Sequence, residues 1–242
     1  MFYPAANRFY CKFWLRETAL AGQNAGRVVS VFFWEKNFLQ NPGESLLALH
    51  QKGLLFKAVP ELAHLVGLPQ NPDRHRLCAW GHTLRVLEEL PEKELDLTLA
   101  ALFHDVGKGL PGVRTYNNGL PSDFGHAERG ADMARGILRR FNFPRQTIDR
   151  ITWLIYHHMS VPYDLEKLEP WLKKLGRTLP PKELYFRVQK LITLKEADKR
   201  SDNLGAEEKI QALKKVKREV EQILLPEGAK NAIIKFRSKK DR

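Results

Sequence analysis

The chain has 242 residues, 43% hydrophobic and 28% charged, a balance that excludes collagen-like, low-complexity and disordered classes and supports one substantial domain with a buried core. Forty lysines and arginines against 28 aspartates and glutamates leave a net charge of +12, which concentrates anionic partners such as nucleotides and nucleic acid near the surface. No apolar run approaches the ~20 residues that span a bilayer, so no membrane partner is expected. The N-terminus lacks a secretory pattern. Two cysteines, Cys11 and Cys78, are too few for a disulfide framework and suit a reducing compartment. The expected location is therefore cytoplasmic.

Residues 1–43 form an N-terminal extension without a convincing period, and "RVVSVFFW" within it reads equally as a strand or a buried helical turn. "NPGES" marks a break, with Glu44 and Ser45 placed to open a helix. "SLLALHQKGLLF" and "PELAHLVG" are short apolar-periodic pieces ended by glycine. "WGHTLRVLEEL" predicts a helix closed by Pro91, and "KELDLTLAALFHDVG" a buried helix that stops at Gly107. A loop rich in glycine and proline runs on to Gly125. "HAERGADMARGILRRF" is an amphipathic helix, Pro144 opens "RQTIDRITWLIYHHM", and "VPYDLEKLEPWLKKLG" leads to a break at Pro180 and Pro181. One long helix then covers "KELYFRVQKLITLKEADKRS", and a last one "AEEKIQALKKVKREVEQILL". Strands are scarce and repeats absent. The expectation is an all-α bundle over 44–205, followed by a basic C-terminal helix and tail at 206–242. That basic tail reads as a solvated helix face as readily as a nucleic-acid contact.

Five of the eight histidines, His82, His104, His126, His157 and His158, fall within about 80 residues of one another. Each alone reads as a surface or core group. Their common feature is position: His82 near a helix start, His104 with Asp105 at a helix end, His126 at a helix N-terminus, His157 and His158 at another helix end. Asp198 stands late in the long helix. Helix ends meet at one end of a bundle, and imidazole with carboxylate suits first-row divalent metals. The lack of nearby thiols argues against a structural zinc knot.

"FHDVGKG", with "GHTLRVL" upstream and "LKEAD" downstream, resembles the HD superfamily of metal-dependent phosphohydrolases. Within it, "PELAHLVGLPQNPDRHR", "LAALFHDVGKGLP", "GHAERGADMARGILRRFNFP" and "LKEADKRSDN" are similar to the HD domain of bacterial tRNA CCA-adding nucleotidyltransferases, from about Gly53 to Gly205. The resemblance implies metal ligands at His82, His104, Asp105 and Asp198. For members with two metals it adds His126 and His158, with His157 the competing register and Asp105 the bridge. Two divalent cations are implied, with iron, manganese, nickel, cobalt, magnesium and zinc all open. Cations ~3.5–4 Å apart lower the pKa of a water between them toward about 7 and neutralise charge on phosphoryl oxygens. Lys108, just after the dipeptide, is the expected catalytic and phosphate-binding lysine, with Arg129 and Arg200 as further substrate contacts. Without the resemblance, Lys108 reads as a solvated lysine in a glycine turn. His75 stands where a role behind a ligand or at the substrate rim is conceivable. His50 and His64 read as packed or surface groups, and Trp80, Trp153 and Phe103 as core.

Residues 1–70 hold no "GGxxRD" turn with paired aspartates, so nucleotide addition is not expected of this chain. "HHMSVPYD" departs from the HD-GYP pattern of cyclic di-GMP phosphodiesterases, and "HDVGKGLPG" lacks the Glu-Asp pair of (p)ppGpp hydrolases. The resemblance therefore implies a phosphohydrolase acting on a nucleotide or RNA-end phosphoester, of the 2′,3′-cyclic phosphodiesterase, nucleotidase or phosphatase type. The alternatives are a dinucleoside polyphosphate hydrolase and a basic RNA- or tRNA-binding module that keeps the scaffold as structure.

Overall fold

Asn41 opens the first helix of the computed structural model, which describes residues 38–202 and 206–225. Its side-chain oxygen accepts from the Glu44 N–H at 3.2 Å, and Pro42 occupies the first turn, where no N–H is needed. Helix α1 (Pro42–Gln51) thus begins two residues earlier than Glu44. It buries Leu46 and Leu49 and ends before Gly53. Helix α2 (Leu55–Ala58) is one turn long, and "PELAHL" forms a 3-10 turn (Pro60–Leu65). That piece lies between non-helical Val59 and left-handed Gly67, too short to repay an α-helical nucleus, and the tight turn points Leu62 and Leu65 inward together. The readings of "RVVSVFFW" and of the basic tail beyond 225 lie outside the described residues.

Helix α3 (Ala79–Glu89) starts where the Cys78 sulfur accepts from the Gly81 N–H, and it gives way at Leu90, which Pro91 holds extended. Helix α4 (Leu95–Phe103) buries every residue from Asp96 to Phe103, the mark of a helix packed on all sides. It stops four residues before Gly107. From His104 to Gly109 the chain makes turns, closed by Lys108 N–H to the Asp105 carbonyl at 2.9 Å. The reason lies in packing: a Cβ on Gly107 would stand 2.2 Å from the His126 carbonyl oxygen, so this turn is pressed against the next helix.

Part of the expected loop is a hairpin, β1 (Arg114–Asn117) and β2 (Leu120–Asp123), paired antiparallel with Arg114 opposite Asp123. Its two-residue connection, Asn118 (φ 50°) and Gly119 (φ 77°), has the left-handed pair typical of a type I′ turn. Helix α5 (His126–Arg140) follows left-handed Gly125, and α6 (Arg145–His157) follows Pro144. Helix α7 (Leu168–Leu175), the long α8 (Pro181–Asp202) and α9 (Ala206–Leu224) complete the described bundle. Helix α8 packs on α3, α4, α6 and α9, and α4 lies at the centre of one continuous core. The all-α architecture holds, with the short hairpin as its one departure among the described residues. Among them, no helix is long and apolar enough to cross a membrane.

Candidate metal centre

Ends of five helices meet at one pole of this bundle. His82 comes from the first turn of α3, His104 and Asp105 from the turn after α4, His126 from the first residue of α5, His158 from the cap of α6, and Asp198 from just before the last turn of α8. All six are buried. The Asp105 carboxylate stands between two pairs of imidazoles. Its Oδ2 lies 3.2 Å from His104 Nε2 and 3.7 Å from His82 Nε2, while its Oδ1 lies 3.4 Å from His126 Nε2. His158 Nε2 is 3.2 Å from His126 Nε2, and Asp198 Oδ1 is 3.1 Å from His82 Nε2. His82, His104 and Asp105 form one group of donor atoms within 4.8 Å of one another, and Asp105, His126 and His158 form a second.

The rings point their Nε2 atoms inward for a local reason. His104 Nδ1 donates to the Ala101 carbonyl at 2.8 Å, His126 Nδ1 to Asp123 at 2.7 Å and His158 Nδ1 to Ile155 at 2.7 Å. A carbonyl only accepts, so each Nδ1 carries the proton and each neutral ring offers its Nε2 lone pair. His82 Nε2 and His104 Nε2 are buried without a hydrogen-bond partner. Orphaned buried acceptors facing a carboxylate are costly unless something electropositive sits among them. A donor set of imidazole and carboxylate without thiolate fits divalent first-row metals.

The electrostatics prepare the same state. Burial holds His158 well below the ordinary imidazole value, helped by His126 and His104, and holds His126 and His82 below it too. Burial also disfavours the charged form of His104, but the neighbouring Asp105 carboxylate outweighs it and raises that group. Asp105 and Asp198 are kept well below the usual carboxylate range despite burial, by His104 and Lys108 for the first and by Lys195 and His82 for the second. At His82, His126 and His158, neutral imidazoles beside ionised carboxylates are the protonation states a cation requires, and at His104 a cation would take the place of the second proton.

Lys108 is buried rather than solvated. Its Nζ lies 2.8 Å from Asp105 Oδ2 and donates to Gln70 Oε1 at 2.7 Å, while His64 Nε2 meets its backbone carbonyl at 3.0 Å. Arg129 is exposed on α5 and Arg200 half-buried on α8. Among the described residues neither reaches the cluster by a hydrogen bond or ion pair. His157 turns away from His158, packing on Trp153 and Tyr156. His75 pairs with Asp202 at 2.7 Å, behind His82. Trp80 and Phe103 are core, and Trp153 is partly buried. Sequence reasoning missed Lys195, which donates to Asp198 Oδ2 at 2.9 Å, along with Gln70, Ser201 and Asp202. Spacing held a signal for two of these: Lys195 precedes Asp198 by three residues and Asp202 follows it by four, all on one helix face. Gln70 left no such signal.

The HD domain family model matches residues 73–204, more than half of the chain and all six clustered residues. The chain belongs to the HD domain family. The chain is 38% identical over 153 residues to the CC-adding tRNA nucleotidyltransferase of Thermus thermophilus, covering 61% of this chain and 35% of that protein. An A-adding tRNA nucleotidyltransferase of Deinococcus radiodurans is 32% identical over 140 residues, or 56% and 32% of the two chains. A multifunctional CCA protein of Pseudomonas aeruginosa is 28% identical over 172 residues, or 70% and 41%. The expected likeness to the HD domain of CCA-adding enzymes is borne out. This chain spans about a third to two fifths of the length of these relatives.

Proposed function

We propose that this HD domain hydrolyses a phosphoester of a nucleotide or an RNA end, as a 2′,3′-cyclic phosphodiesterase, nucleotidase or phosphatase, with two divalent cations held by His82, His104, Asp105, His126, His158 and Asp198. The observation that carries the reading is the Asp105 carboxylate, with one oxygen toward His82 and His104 and the other toward His126. Cations bound there would activate a water and neutralise charge on a phosphoryl group. The protein's own share is orientation: four rings and two carboxylates fixed by helix ends and buried from bulk water. The Lys108 ammonium borders Asp105 Oδ2 and is the proposed contact for a substrate phosphate oxygen, with Arg129 and Arg200 as outer contacts. Tyr116 on the hairpin and Phe124 just after it, ahead of His126, are exposed, and a nucleobase can stack against them. The names of two of the relatives, both tRNA nucleotidyltransferases, favour an RNA-end substrate for this chain.

The test is purification without chelator, a metal inventory, and turnover of 2′,3′-cAMP, 2′-AMP and a dinucleoside polyphosphate with Mn2+, Fe2+, Co2+, Ni2+, Mg2+ or Zn2+ added. Turnover of the cyclic ester that His104→Ala abolishes is the expected result. Turnover of the dinucleoside polyphosphate alone would replace the substrate class. No bound metal and no turnover with any cation would leave the RNA-binding module as the reading.

A further inference from the structure

Three of the four clustered histidines are held by the backbone of their own turn, each through Nδ1 to a carbonyl three residues earlier. His82 is the exception. Its Nδ1 meets the hydroxyl of Ser201, 119 positions away on α8, at 2.8 Å. Ser201 has one proton, and its Oγ stands 2.6 Å from the Asp198 carbonyl oxygen. Were that proton directed at His82, two acceptor oxygens would face each other at that distance in a buried site. The hydroxyl therefore donates to the Asp198 carbonyl and accepts from His82 Nδ1–H. Asp202, 3.7 Å from the same nitrogen, is too distant for a hydrogen bond and is engaged by His75 and Lys199.

We propose that Ser201 is a positioning residue that selects the Nδ1–H tautomer of His82 and so aims a bare Nε2 at Asp105 and Asp198. The consequence follows from helix geometry. One turn of α8 supplies both Asp198 and, three residues on, the group that fixes the ring facing it, so the docking of α8 on α3 sets both together. The backbone locks of the other rings form with their own turns, whereas this one forms only when the bundle closes. That the inward nitrogen serves a cation rests on the function proposed above; the tautomer assignment does not.

The experiment uses the full chain, freed of metal and labelled with 15N, with histidine side-chain NMR at neutral pH and titration with Mn2+, Fe2+, Co2+ and Zn2+. Wild-type His82 is expected to carry its proton on Nδ1. In Ser201→Ala the ring is expected to move toward Nε2–H, with cation affinity weakened about 10–100-fold, as for other groups behind a ligand. Ser201→Thr, which keeps the hydroxyl, is expected to restore both, and circular dichroism confirms that each variant is folded. A wild-type His82 protonated on Nε2 overturns the proposal, whatever the variants do. So does a folded Ser201→Ala with an unchanged ring and unchanged affinity. A wild-type protein that takes up none of these cations while showing the Nδ1–H ring would sink the metal reading and leave the positioning assignment standing.

Discussion

Helix α4 carries a buried carboxylate at each end, and the two are treated in opposite ways. Asp96, in its first turn, receives the Arg150 Nε at 2.7 Å and the Lys190 Nζ at 3.4 Å, and the Arg150 guanidinium is itself held by Thr147. Permanent cations close that site. Asp105, nine residues and about 13 Å of helical rise away, has Lys108 on one oxygen, while the rest of its surroundings are imidazoles. Two of their facing nitrogens are left without a hydrogen-bond partner. Burying an acid is thus no sign of function by itself. What distinguishes the poles is whether the chain satisfies the charge with its own cations or leaves donor atoms converging on an open point.

The largest effect expected from this contrast is chemical. Asp105→Ala or His104→Ala is expected to lower turnover at least about 100-fold, since groups merely behind metal ligands account for 10–100-fold. Both variants should also abolish the thermal stabilisation by added divalent cation, which for wild type would reach about 2.7 kcal/mol at a hundredfold excess over Kd. A variant of Asp105 that still gains stability from the cation would remove the distinction between the poles.

Asp96→Ala is expected to do the reverse. It strands the Arg150 guanidinium, while Lys190 keeps Glu94 at 2.7 Å, and should cost about 1–3 kcal/mol in urea unfolding while cation affinity stays within a factor of about two. Loss of cation binding there would mean that the two ends of α4 are coupled.

The third effect is on pH dependence of the metal-free protein. His82, His126 and His158 are held below the ordinary imidazole value by burial, and His157 is lowered to about 4 by burial and by Lys174. The unfolded chain takes up protons from about pH 6.5 downward that these folded rings refuse, so stability present above that pH is lost as it falls. At His104 burial opposes charge but Asp105 prevails, and this one group works the other way. Unfolding free energy of chelated protein is therefore expected to decline from pH 7 to pH 5. A flat profile would show that the rings take up protons in the fold.

The smallest effect is just after the hairpin. Phe124→Ala is expected to raise KM a few-fold for a base-bearing ester, with kcat little changed and no effect on a substrate that lacks a base.

Much of this molecule was legible in the pattern of the chain. Apolar periodicity, Pro91, Pro144 and the Pro180–Pro181 pair placed most helices, because local propensity and packing demand agree there. The hairpin escaped notice because its strands are four residues long and mostly exposed, leaving Asn118-Gly119 as the sole signal. The early end of α4 escaped because Gly107 is fixed by the approach of α5, which no local pattern announces. The histidines and aspartates could be singled out by residue type and by their places at helix ends. Choosing between His157 and His158 needed the turn: the first packs against Trp153, and the second bonds back to Ile155 and faces inward.

By itself the sequence determined most of the helices, the breaks at proline and the residue types able to hold a cation, since those depend on neighbours within a few positions. The tertiary structure alone decided that α3 and α8 would meet with Ser201 behind His82. It also decided that Lys108 would be buried against Gln70 and that the two oxygens of one carboxylate would face different pairs of rings. Those relations join residues far apart in the chain, and they come into being only when the apolar faces of the helices close on one another.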